Sequence, residues 1–456
     1  MSHPSLLNRD AWWQKFADLT GVVLFIIICS TTQANTAENW PSFQNGGNLS
    51  QPEDSLQVKW SAASRIDWSV PIPGYGQSSP VVWNGQVYVT SVSGPRKDQF
   101  HVTAFDLDDG ARLWKFDIAN AFPRANDNYI SRAAPTPVAD QNGLICFFET
   151  GDLVALNHAG NVRWQRKLVE EYGPIETRHG LAASVEQDLE TAYIWVERQN
   201  DPYVLAIDKS SGANHWKTPG IGATSWSSPR LVPVGNRFHL LLSGSGRLTA
   251  LDPKTGQQLW TFTDISGNSI PTPVPVGDDC FLIGATVGRA GGGSGRSADS
   301  NGLMTVRQQD DGQWRAEYVW RAQRATSSFG SPMAHRGLAY FVNRSGVVYA
   351  LDLKSGEEVF AERLGESSWA TPLGAADRIF FFGKSGTTSV IASGKQFLPL
   401  LAHSSWENEA ISESGQAATG ILYAAVSSHH RLLLRRGDRL TCIVAESADG
   451  QKTDPN

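Results

Sequence analysis

The hydrophobic and polar positions of the chain repeat a short unit, in which an apolar strand, a tight turn and a second strand follow one another. The clearest copy runs from Thr249 to Trp260 with the sequence TALDPKTGQQLW. We expect the Asp252 carboxylate to cap turn amides, and Gly256 provides the positive φ that branched residues resist. Each unit is therefore predicted to be a β-hairpin with its aromatic residue on a fixed face. The same spacing recurs at Asp106, Gly110 and Trp114, at Asp208, Gly212 and Trp216, and at Asp352, Gly356 and Phe360, with weaker copies at 157–164, 308–314 and 391–397.

A second marker, Ser or Thr followed by Pro, opens a short strand ahead of each hairpin. Counting degenerate copies there are eight openings, at intervals of about 40 to 60 residues, which is the period of a four-stranded propeller blade. We therefore predict an all-β fold, an eight-bladed β-propeller of four-stranded antiparallel blades. The clear copies are Ser79-Pro80, Thr136-Pro137, Ser228-Pro229, Thr272-Pro273, Ser331-Pro332 and Thr371-Pro372, and the degenerate copies lie at 182–184 and 423–426.

The two ends of the chain predict how the ring closes. After 423–426 the sequence holds two more strands, at 431–435 and 439–444, so the last blade lacks its outer strand. The segment 65–70, RIDWSV, has the character of an outer strand, but no blade precedes it. Pairing this N-terminal strand with the last blade closes the ring and removes exposed sheet edges that favour aggregation. For the sixth blade the predicted strands are 331–334, 337–342, 347–351 and 357–363.

Composition and charge agree with a turn-rich globular protein. The chain is 41% hydrophobic and 18% charged and contains 43 Gly and 23 Pro, which is typical of a fold without long solvated helices. The net charge is −6 and the 39 basic residues are scattered, so nucleic acid is not an expected partner. Cys146, Cys280 and Cys442 fall on predicted strands of different blades, which favours free thiols over disulfides.

The start of the chain has the pattern of an export signal. An apolar run at 19–30 follows basic residues and precedes small residues, which predicts a cleaved signal peptide, with a retained anchor as the alternative. The run is shorter than the ~20 apolar residues that span a bilayer, so no transmembrane span is expected after cleavage. Cys29 has the position of a lipidated cysteine, but Ile28 precedes it where that signal uses a small residue. We expect a monomeric periplasmic or exported protein, divided into a signal peptide at 1–37, a single propeller at 38–448 and a disordered tail at 449–456.

The repeated Ala-Leu-Asp-x-x-Thr-Gly-x-x-x-Trp pattern resembles the pyrroloquinoline-quinone repeat. Bacterial quinoprotein dehydrogenases share this repeat with BamB, a lipoprotein of the machinery that assembles outer-membrane β-barrels. Segments 39–44, 71–80 and 172–180 look like a BamB-like branch of bacterial propellers. The resemblance implies a scaffold of the cell envelope that binds a protein or peptide partner and is not an enzyme. It is specific for the fold and weak for activity, because the repeated Trp and Gly residues shape blade contacts in every branch.

A small-ligand-binding or quinone-dependent oxidoreductase, with a site at the channel mouth, is the alternative function. Members with that activity use a bound quinone, a calcium ion, a catalytic Asp and, in alcohol-oxidising members, adjacent cysteines. The sequence has no adjacent cysteine pair, and no Glu or Asn stands in a matching motif. We therefore expect no catalytic residue, no metal and no cofactor, with pyrroloquinoline quinone and calcium as the alternative.

Candidate binding residues lie just before the innermost strands, because in propellers these segments crowd one rim of the central channel. Arginine beside aromatic rings can hold an anionic or sugar-like ligand, or an extended peptide, through charge-assisted hydrogen bonds and stacking. The competing interpretation is that these side chains pair with one another and fill the channel. The candidates are Tyr75, Gln77, Arg132, Glu176, Arg178, His179, Trp226 and Trp369, and the same rim contains Tyr129, Asn268, Phe329 and Glu366.

Overall fold

Eight sheets form the blades of a β-propeller in the described part of the chain, as the repeats predicted. Contacts divide the chain into Met1–Thr36 and Ala37–Asn456, and all described residues belong to the second unit. The predicted signal peptide, Cys29 and the predicted tail lie outside the described residues. The computed structural model describes residues 39–51, 56, 66–120, 122–123, 131–177, 179–222, 226–277, 279–286, 299–404 and 421–444.

The strands of the first four blades follow one another from the channel outward. Ahead of them are a 3-10 turn at Phe43–Gly47, β1 (Ser50–Gln51) and β2 (Ile66–Pro71). Blade 1 contains β3 (Val81–Trp83), β4 (Gln86–Ser93), β5 (Gln99–Asp106) and β6 (Arg112–Ala119). Blade 2 contains β7 (Val138–Asp140), β8 (Gly143–Phe147), β9 (Asp152–Leu156) and β10 (Val162–Lys167), followed by the helix α1 (Leu168–Tyr172). Blade 3 contains β11 (Glu186–Gln187), β12 (Thr191–Val196), β13 (Tyr203–Asp208) and β14 (Asn214–Pro219), and blade 4 contains β15 (Arg230–Val234), β16 (Arg237–Gly244), β17 (Arg247–Leu251) and β18 (Gln258–Phe262).

The remaining blades continue the pattern, except that the last blade supplies three strands of its own. Blade 5 contains β19 (Val274–Pro275), β20 (Cys280–Ile283), β21 (Gly302–Gln308) and β22 (Trp314–Arg321). Blade 6 contains β23 (Met333–His335), β24 (Leu338–Val342), β25 (Val347–Asp352) and β26 (Glu358–Arg363). Blade 7 contains β27 (Leu373–Ala375), β28 (Arg378–Phe382), β29 (Thr387–Ala392) and β30 (Pro399–Ser404), and blade 8 contains β31 (Leu422–Ser428), β32 (Arg431–Arg436) and β33 (Arg439–Val444).

An N-terminal strand closes the ring, as predicted. β2 pairs antiparallel with β33 and places Trp68 opposite Cys442. Blade 8 therefore runs β31, β32, β33 and β2 from the channel outward. β1 also joins a blade, which the repeat pattern does not predict. It pairs parallel with β27, with Ser50 opposite Gly374, and makes blade 7 a five-stranded sheet.

The second and third strands of the blades form the core. β8, β12 and β24 are buried along their whole length, because each blade packs between two neighbours, and this burial explains their uninterrupted apolar runs. Cys146, Cys280 and Cys442 lie on β8, β20 and β33 and are all free, as predicted. No helix in the described ranges has the length and hydrophobicity needed to span a bilayer.

The repeated Trp and Gly residues join neighbouring blades. Trp216 of blade 3 donates its indole N–H to the Pro253 carbonyl in the turn of blade 4, over 3.0 Å. A Cβ added to Gly256 in that turn would lie 2.7 Å from the indole ring, so glycine is required by the close contact as well as by its φ of +72°. The same contact joins Trp68 to Gly110, Trp114 to Gly160, Trp164 to Gly212, and Trp320 to Gly356.

Blade 5 differs from the predicted spacing. The segment 308–314 was interpreted as a copy of the repeat with Trp314 as its aromatic residue, but it is Trp320 that contacts the next blade, at Gly356. In other blades a bulge comes just before the tryptophan that contacts the next blade. In blade 5 the pairing of β22 with β21 is regular at Trp314, and the bulge lies at the other end of the strand pair, just before Trp320. Trp314 instead lies edge-on to His239 with ring centroids 4.7 Å apart.

The turn aspartates bind backbone amides as predicted. Asp252 Oδ1 accepts hydrogen bonds from the amides of Lys254 and Thr255, at 2.8 and 3.0 Å. Hydrogen bonds from the Ser210 hydroxyl and its neighbour lower the pKa of Asp208 to about 2. These bonds hold the hairpin tips so that the following glycine meets the tryptophan of the preceding blade. Equivalent amide bonds are formed by Asp106, Asp208 and Asp352.

The Ser and Thr residues that open the blades form a chain of hydrogen bonds around the channel. The Ser228 amide donates to Thr272 Oγ1 over 2.9 Å, and the Thr272 amide donates to Ser331 Oγ over 2.9 Å. Each hydroxyl thus accepts from the backbone of the preceding blade. This series of hydrogen bonds is interrupted in blade 8, because the equivalent residue there is Ala424, which has no hydroxyl. The other links join Ser79 to Thr136, Thr136 to Ser184, Ser184 to Ser228, and Ser331 to Thr371, at 2.9 to 3.1 Å.

We predict that Thr272→Val destabilises the protein by about 1–3 kcal/mol, because the buried Ser228 amide loses its acceptor while the side-chain volume is kept. Thr272→Ser retains the hydroxyl and is expected to cost much less. Urea unfolding followed by tryptophan fluorescence measures both free energies. Equal losses in the two variants would show that the hydroxyl is not what matters at this position.

We predict that Gly256→Ala destabilises the protein more than Gly235→Ala. Both glycines have positive φ, at +72° and +58°, so each substitution carries roughly 1–2 kcal/mol of backbone strain. A Cβ at position 256 also meets the Trp216 ring, whereas one at 235 meets nothing within 4 Å, and overpacking adds about 1–3 kcal/mol. The difference between the two unfolding free energies measures the effect of the contact with Trp216. Equal free energies would show that this contact does not require glycine at position 256.

Candidate functional site

Residues 40–51, which we call the N-terminal plug, cover one end of the central channel. Trp40 pairs with Val82 of blade 1 through two backbone hydrogen bonds of 2.9 Å. At the other end of the plug, β1 lies against blade 7, and Ser50 Oγ contacts His335 Nδ1 of blade 6 over 2.7 Å. Between these points the plug also contacts blade 4 and blade 5, at Arg230 and Pro275. The channel is therefore covered at this end by backbone that reaches most blades.

The Gln44 side chain fastens the plug to the Ser and Thr hydroxyls that surround the channel. Its side-chain amide donates to Ser331 Oγ and Thr371 Oγ1, both at 2.9 Å. Its carbonyl oxygen accepts from Arg230 Nη2 over 3.2 Å. The residue is 5% exposed and adopts a φ of +56°. Blades 4, 6 and 7 are thus joined through one side chain.

A buried ion pair lies beside Gln44. Arg230 Nη1 is 3.2 Å from Glu186 Oε2, which joins blade 4 to blade 3, and Arg230 Nη2 also donates to the Phe43 carbonyl over 3.2 Å. Burial raises the pKa of Glu186 and lowers the pKa of Arg230, and their attraction opposes both effects. Such an ion pair holds the two blades and the plug in a defined arrangement more than it adds to the free energy of folding, because desolvation of the charges offsets much of their attraction.

Above the plug the channel is a cavity of about 700 Å³ with Phe43 in its lining. Its walls have two tiers that repeat with the blades. The inner tier consists of hydroxyl residues of the chain described above, Ser79, Thr136, Ser184 and Ser331. The outer tier lies two positions earlier in each blade and consists of Gln77, Ala134, Ala182, Trp226, Ile270, Phe329 and Trp369. Blade 8 adds Ile421, Tyr423 and Ala424.

Aromatic rings follow one another around the mouth of this cavity. The ring centroids of Phe329 and Trp369 are 4.4 Å apart, and Trp369 lies 6.0 Å from Tyr423. Tyr423 in turn lies 6.1 Å from Tyr75, and their hydroxyls are 2.9 Å apart. The mouth therefore has an aromatic wall from blade 6 through blade 8 to blade 1, while small side chains face it from blades 2 and 3.

Three basic side chains lie over these rings. The Arg132 guanidinium is 3.6 Å from the centroid of Tyr75. Lys384 Nζ lies 5.0 Å from Trp369, and the Arg344 guanidinium lies 5.7 Å from Phe329. The attraction between a cation and a ring face holds both partners in place.

The structure places the sequence-predicted rim residues in different settings. Gln77, His179, Trp226 and Trp369 line the cavity, and His179 contacts the Trp226 ring edge-on at 5.6 Å. Tyr75 and Arg132 form a stacked pair that contacts the lining residues Tyr423 and Gln77, and neither of the two is itself among the lining residues. Glu176 is exposed and is not among the lining residues, and Arg178 and Tyr129 lie outside the described residues.

Two other rim candidates have structural roles. Asn268 is fully buried and donates its side-chain amide to Ser243 Oγ and to the Arg247 carbonyl, at 3.0 and 2.9 Å. The Glu366 carboxylate accepts from the amides of Ser385 and Thr387, at 2.7 and 2.9 Å. Both side chains therefore hold turns near the rim, and neither is among the residues that line the cavity.

Sequence reasoning missed Arg344, Lys384 and Ser131, which also line the cavity. Arg344 and Lys384 lie in the hairpin turns between the second and third strands of blades 6 and 7, whereas the sequence analysis searched only the segments before the first strands. The signal that was available is a basic residue at the tip of that turn in two consecutive blades.

The described lining does not fit a calcium ion beside a quinone. Calcium takes roughly six to eight oxygen ligands, with carboxylates prominent among them. The residues that line the cavity include no Asp or Glu, and the described ranges contain no group of three or more His, Cys, Asp or Glu suited to a metal. Arg344 and Lys384 in the wall oppose a cation further. The arrangement is complementary to an anion.

We predict that Gln44→Leu loosens the plug, because it removes two hydrogen bonds to buried hydroxyls and one from Arg230. The Gly374 amide donates to the Leu49 carbonyl in the plug, so its hydrogen exchange is expected to become faster in the variant. Leucine at the exposed Gln257 is the matched control and leaves that exchange unchanged. Unaltered exchange in Gln44→Leu would contradict a fastening role for the amide.

Comparisons with known proteins place this fold in context. A family profile described as outer membrane protein assembly factor BamB matches residues 41–176 and 200–445. The structure of BamB from Moraxella catarrhalis is similar, with a TM-score of 0.58 and 15% identity over 83% of this chain and 97% of that one. No curated protein sequence matches significantly.

Quinone enzymes share the same architecture. A europium-containing methanol dehydrogenase has a TM-score of 0.57 and 12% identity, covering 87% of this chain and 89% of its own. A quinohemoprotein alcohol dehydrogenase from Comamonas testosteroni has a TM-score of 0.57 and 13% identity, covering 91% and 83%. At these identities the likeness concerns the fold alone. The family profile, by contrast, covers most of the chain, from the plug to β33, and the protein therefore belongs to the BamB family of pyrroloquinoline-quinone-repeat propellers.

Proposed function

We propose that this protein is a non-catalytic binding propeller of the cell envelope, which holds a protein or peptide partner at the open mouth of its channel. The observation that carries the proposal is the blind cavity of about 700 Å³, walled by aromatic faces and cations and covered behind by the plug. Concave, largely preformed sites of this size are typical of ligand recognition.

The family supports a protein partner. BamB is described as an outer membrane protein assembly factor, and an assembly factor acts on other proteins. The apolar run at 19–30 supports export of the chain to the compartment where such factors work. Propellers suit this task because a rigid ring presents many loops around one opening.

The chemistry of the lining favours binding over catalysis. A nucleophile requires a base within hydrogen-bond reach, and the base requires a group that orients it. Ser131 Oγ has no hydrogen-bond partner among the described residues, and the ring of His179 contacts Trp226. Without a carboxylate in the lining, these side chains do not form the relay that acyl transfer or hydrolysis uses.

We predict that photo-crosslinkers at Ser328 and Ser367, both in the cavity lining, capture a protein partner in the envelope of the native host. Phe238 is 53% exposed and packs near the plug, so a crosslinker at that position serves as the matched control and is expected to give no such product. Trp369→Ala should reduce capture at Ser367, because it removes an aromatic face. Capture at position 238 alone would contradict the mouth as the binding site.

An activity assay on the purified protein tests the alternative that it is a quinone-dependent enzyme. Pyrroloquinoline quinone and calcium are added, and dye-linked oxidation of alcohols and aldose sugars is measured alongside the melting temperature. We expect no turnover, because the lining does not supply calcium ligands. Turnover that is lost in Trp369→Ala would overturn the non-catalytic assignment.

A further inference from the structure

The cations of the mouth have no acidic partner among the described residues. Arg132, Arg344 and Lys384 each lie over an aromatic ring, and none forms an ion pair with a described carboxylate. Another partly exposed cation of the ring, Arg321, is paired with Asp264 at 2.8 Å. Among the described residues the mouth is thus a local excess of positive charge in a chain whose net charge is −6.

Two of the basic side chains near the mouth are buried, and burial of a cation carries a desolvation cost. Arg132 is 9% exposed and its Nε has no hydrogen-bond partner in the described ranges. Arg435 lies fully buried close to Tyr75, where Nη2 donates to the Thr90 carbonyl over 3.0 Å while Nε and Nη1 are without described partners. Burial lowers the pKa of Arg435 to about 9, so it remains a cation at neutral pH. An anion at the mouth would offset part of the desolvation of Arg132, whereas Arg435 already has the attraction of Asp438, which opposes the effect of burial on its pKa.

A buried hydroxyl also faces the cavity without a partner. Ser131 is 6% exposed and lines the cavity, and its Oγ has no hydrogen-bond partner among the described residues. Buried polar groups in native proteins are nearly always hydrogen-bonded. Together with Arg344 and Lys384, Ser131 gives the wall a surplus of donors, and an acceptor-only group such as a carboxylate matches that surplus.

The plug limits how a chain can enter. Phe43 lies in the lining and Gln44 fastens the plug beneath it, so a polypeptide cannot thread through the channel. A segment that enters the cavity must therefore end there or turn back. A chain end is the smaller object, and a carboxyl end brings one more negative charge to the cations.

We infer that the mouth of the channel binds the carboxyl-terminal end of an acidic peptide, with the terminal carboxylate and neighbouring acidic side chains held by Arg344 and Lys384. The inference rests on the proposed function and specifies its partner. Trp226, Phe329 and Trp369 contact the apolar side chains between the acidic ones.

The mixture of surfaces favours a peptide over other anions. Inorganic phosphate would use the cations and leave the aromatic wall without a role. An acidic sugar carries many hydroxyl donors, and the described lining offers them no carboxylate acceptor, only Ser, Thr and Tyr hydroxyls, Gln77 and His179. A peptide end supplies apolar side chains for the rings and carboxylates for the cations.

The test uses the full-length purified protein and a library of random short peptides with free carboxyl termini. Bound peptides are recovered and identified by mass spectrometry. We expect enrichment of Asp and Glu at the last positions, with apolar residues beside them. Recovery of peptides without that enrichment would overturn the inference while leaving the proposed binding function intact. Recovery of no peptides, together with no crosslinks at the mouth, would overturn both.

Affinity measurements then assign the cations. For the most enriched peptide, labelled at its amino end, fluorescence anisotropy is compared with its amidated and its Asn- and Gln-substituted forms. Loss of one charge-assisted contact is expected to weaken binding on the order of tenfold, and added salt should weaken it further. Equal affinity of the amidated, neutral peptide would overturn the inference.

Variants separate the mouth from general charge effects. Lys384→Met and Arg344→Met should each weaken binding of the acidic peptide on the order of tenfold. Arg237→Met is the matched control, because Arg237 also lies over an aromatic ring, 5.7 Å from Trp314, but outside the cavity lining. It is expected to bind normally. Equal effects in all three variants, or displacement of the peptide by glucuronate oligomers at lower concentration than by unlabelled peptide, would overturn the assignment.

Discussion

The structure depends on the hydrogen bonds that pass from each blade to the next through the Ser and Thr hydroxyls around the channel. The Trp and Gly contacts join neighbouring blades near their outer strands and do not reach the inner strands. A link such as Ser228 to Thr272 fixes the inner strands relative to one another. With both edges fixed, each blade presents the same sequence position to the channel, so the lining repeats in tiers.

This regularity explains why the fold was predictable and the site only partly so. The fold follows from local spacing, because Asp, Gly and Trp recur at fixed intervals and each has one role in a hairpin. Trp226 and Trp369 could be predicted as lining residues because they hold the same place before the first strand. Arg344 and Lys384 could not, since their position depends on hairpin tips folding over the mouth, and exposed Glu176 shows that a segment near the rim need not face inward. The plug lacks any periodic pattern, and only its contacts with several blades reveal it.

The same ring supports different chemistry in the solved structures it resembles, which include an assembly factor and alcohol dehydrogenases. In this chain the inner tier of the lining forms the links between blades, whereas a residue of the outer tier can change without affecting those links. In this chain the tier before the hydroxyls combines aromatic faces with small side chains, and two hairpin tips add positive charge. The scaffold therefore determines where a ligand lies, and a few side chains determine which ligand it is.

The N-terminal side of the chain supplies both the plug and the strand that completes blade 8, and β2 pairs with a strand near the opposite terminus. A ribosome releases β2 long before β33 exists, so a growing chain exposes an unpaired outer strand and a plug without its channel. Closure therefore waits until β33 has been synthesised. The two halves of blade 8 thus lie at opposite ends of the order in which the ribosome releases the strands.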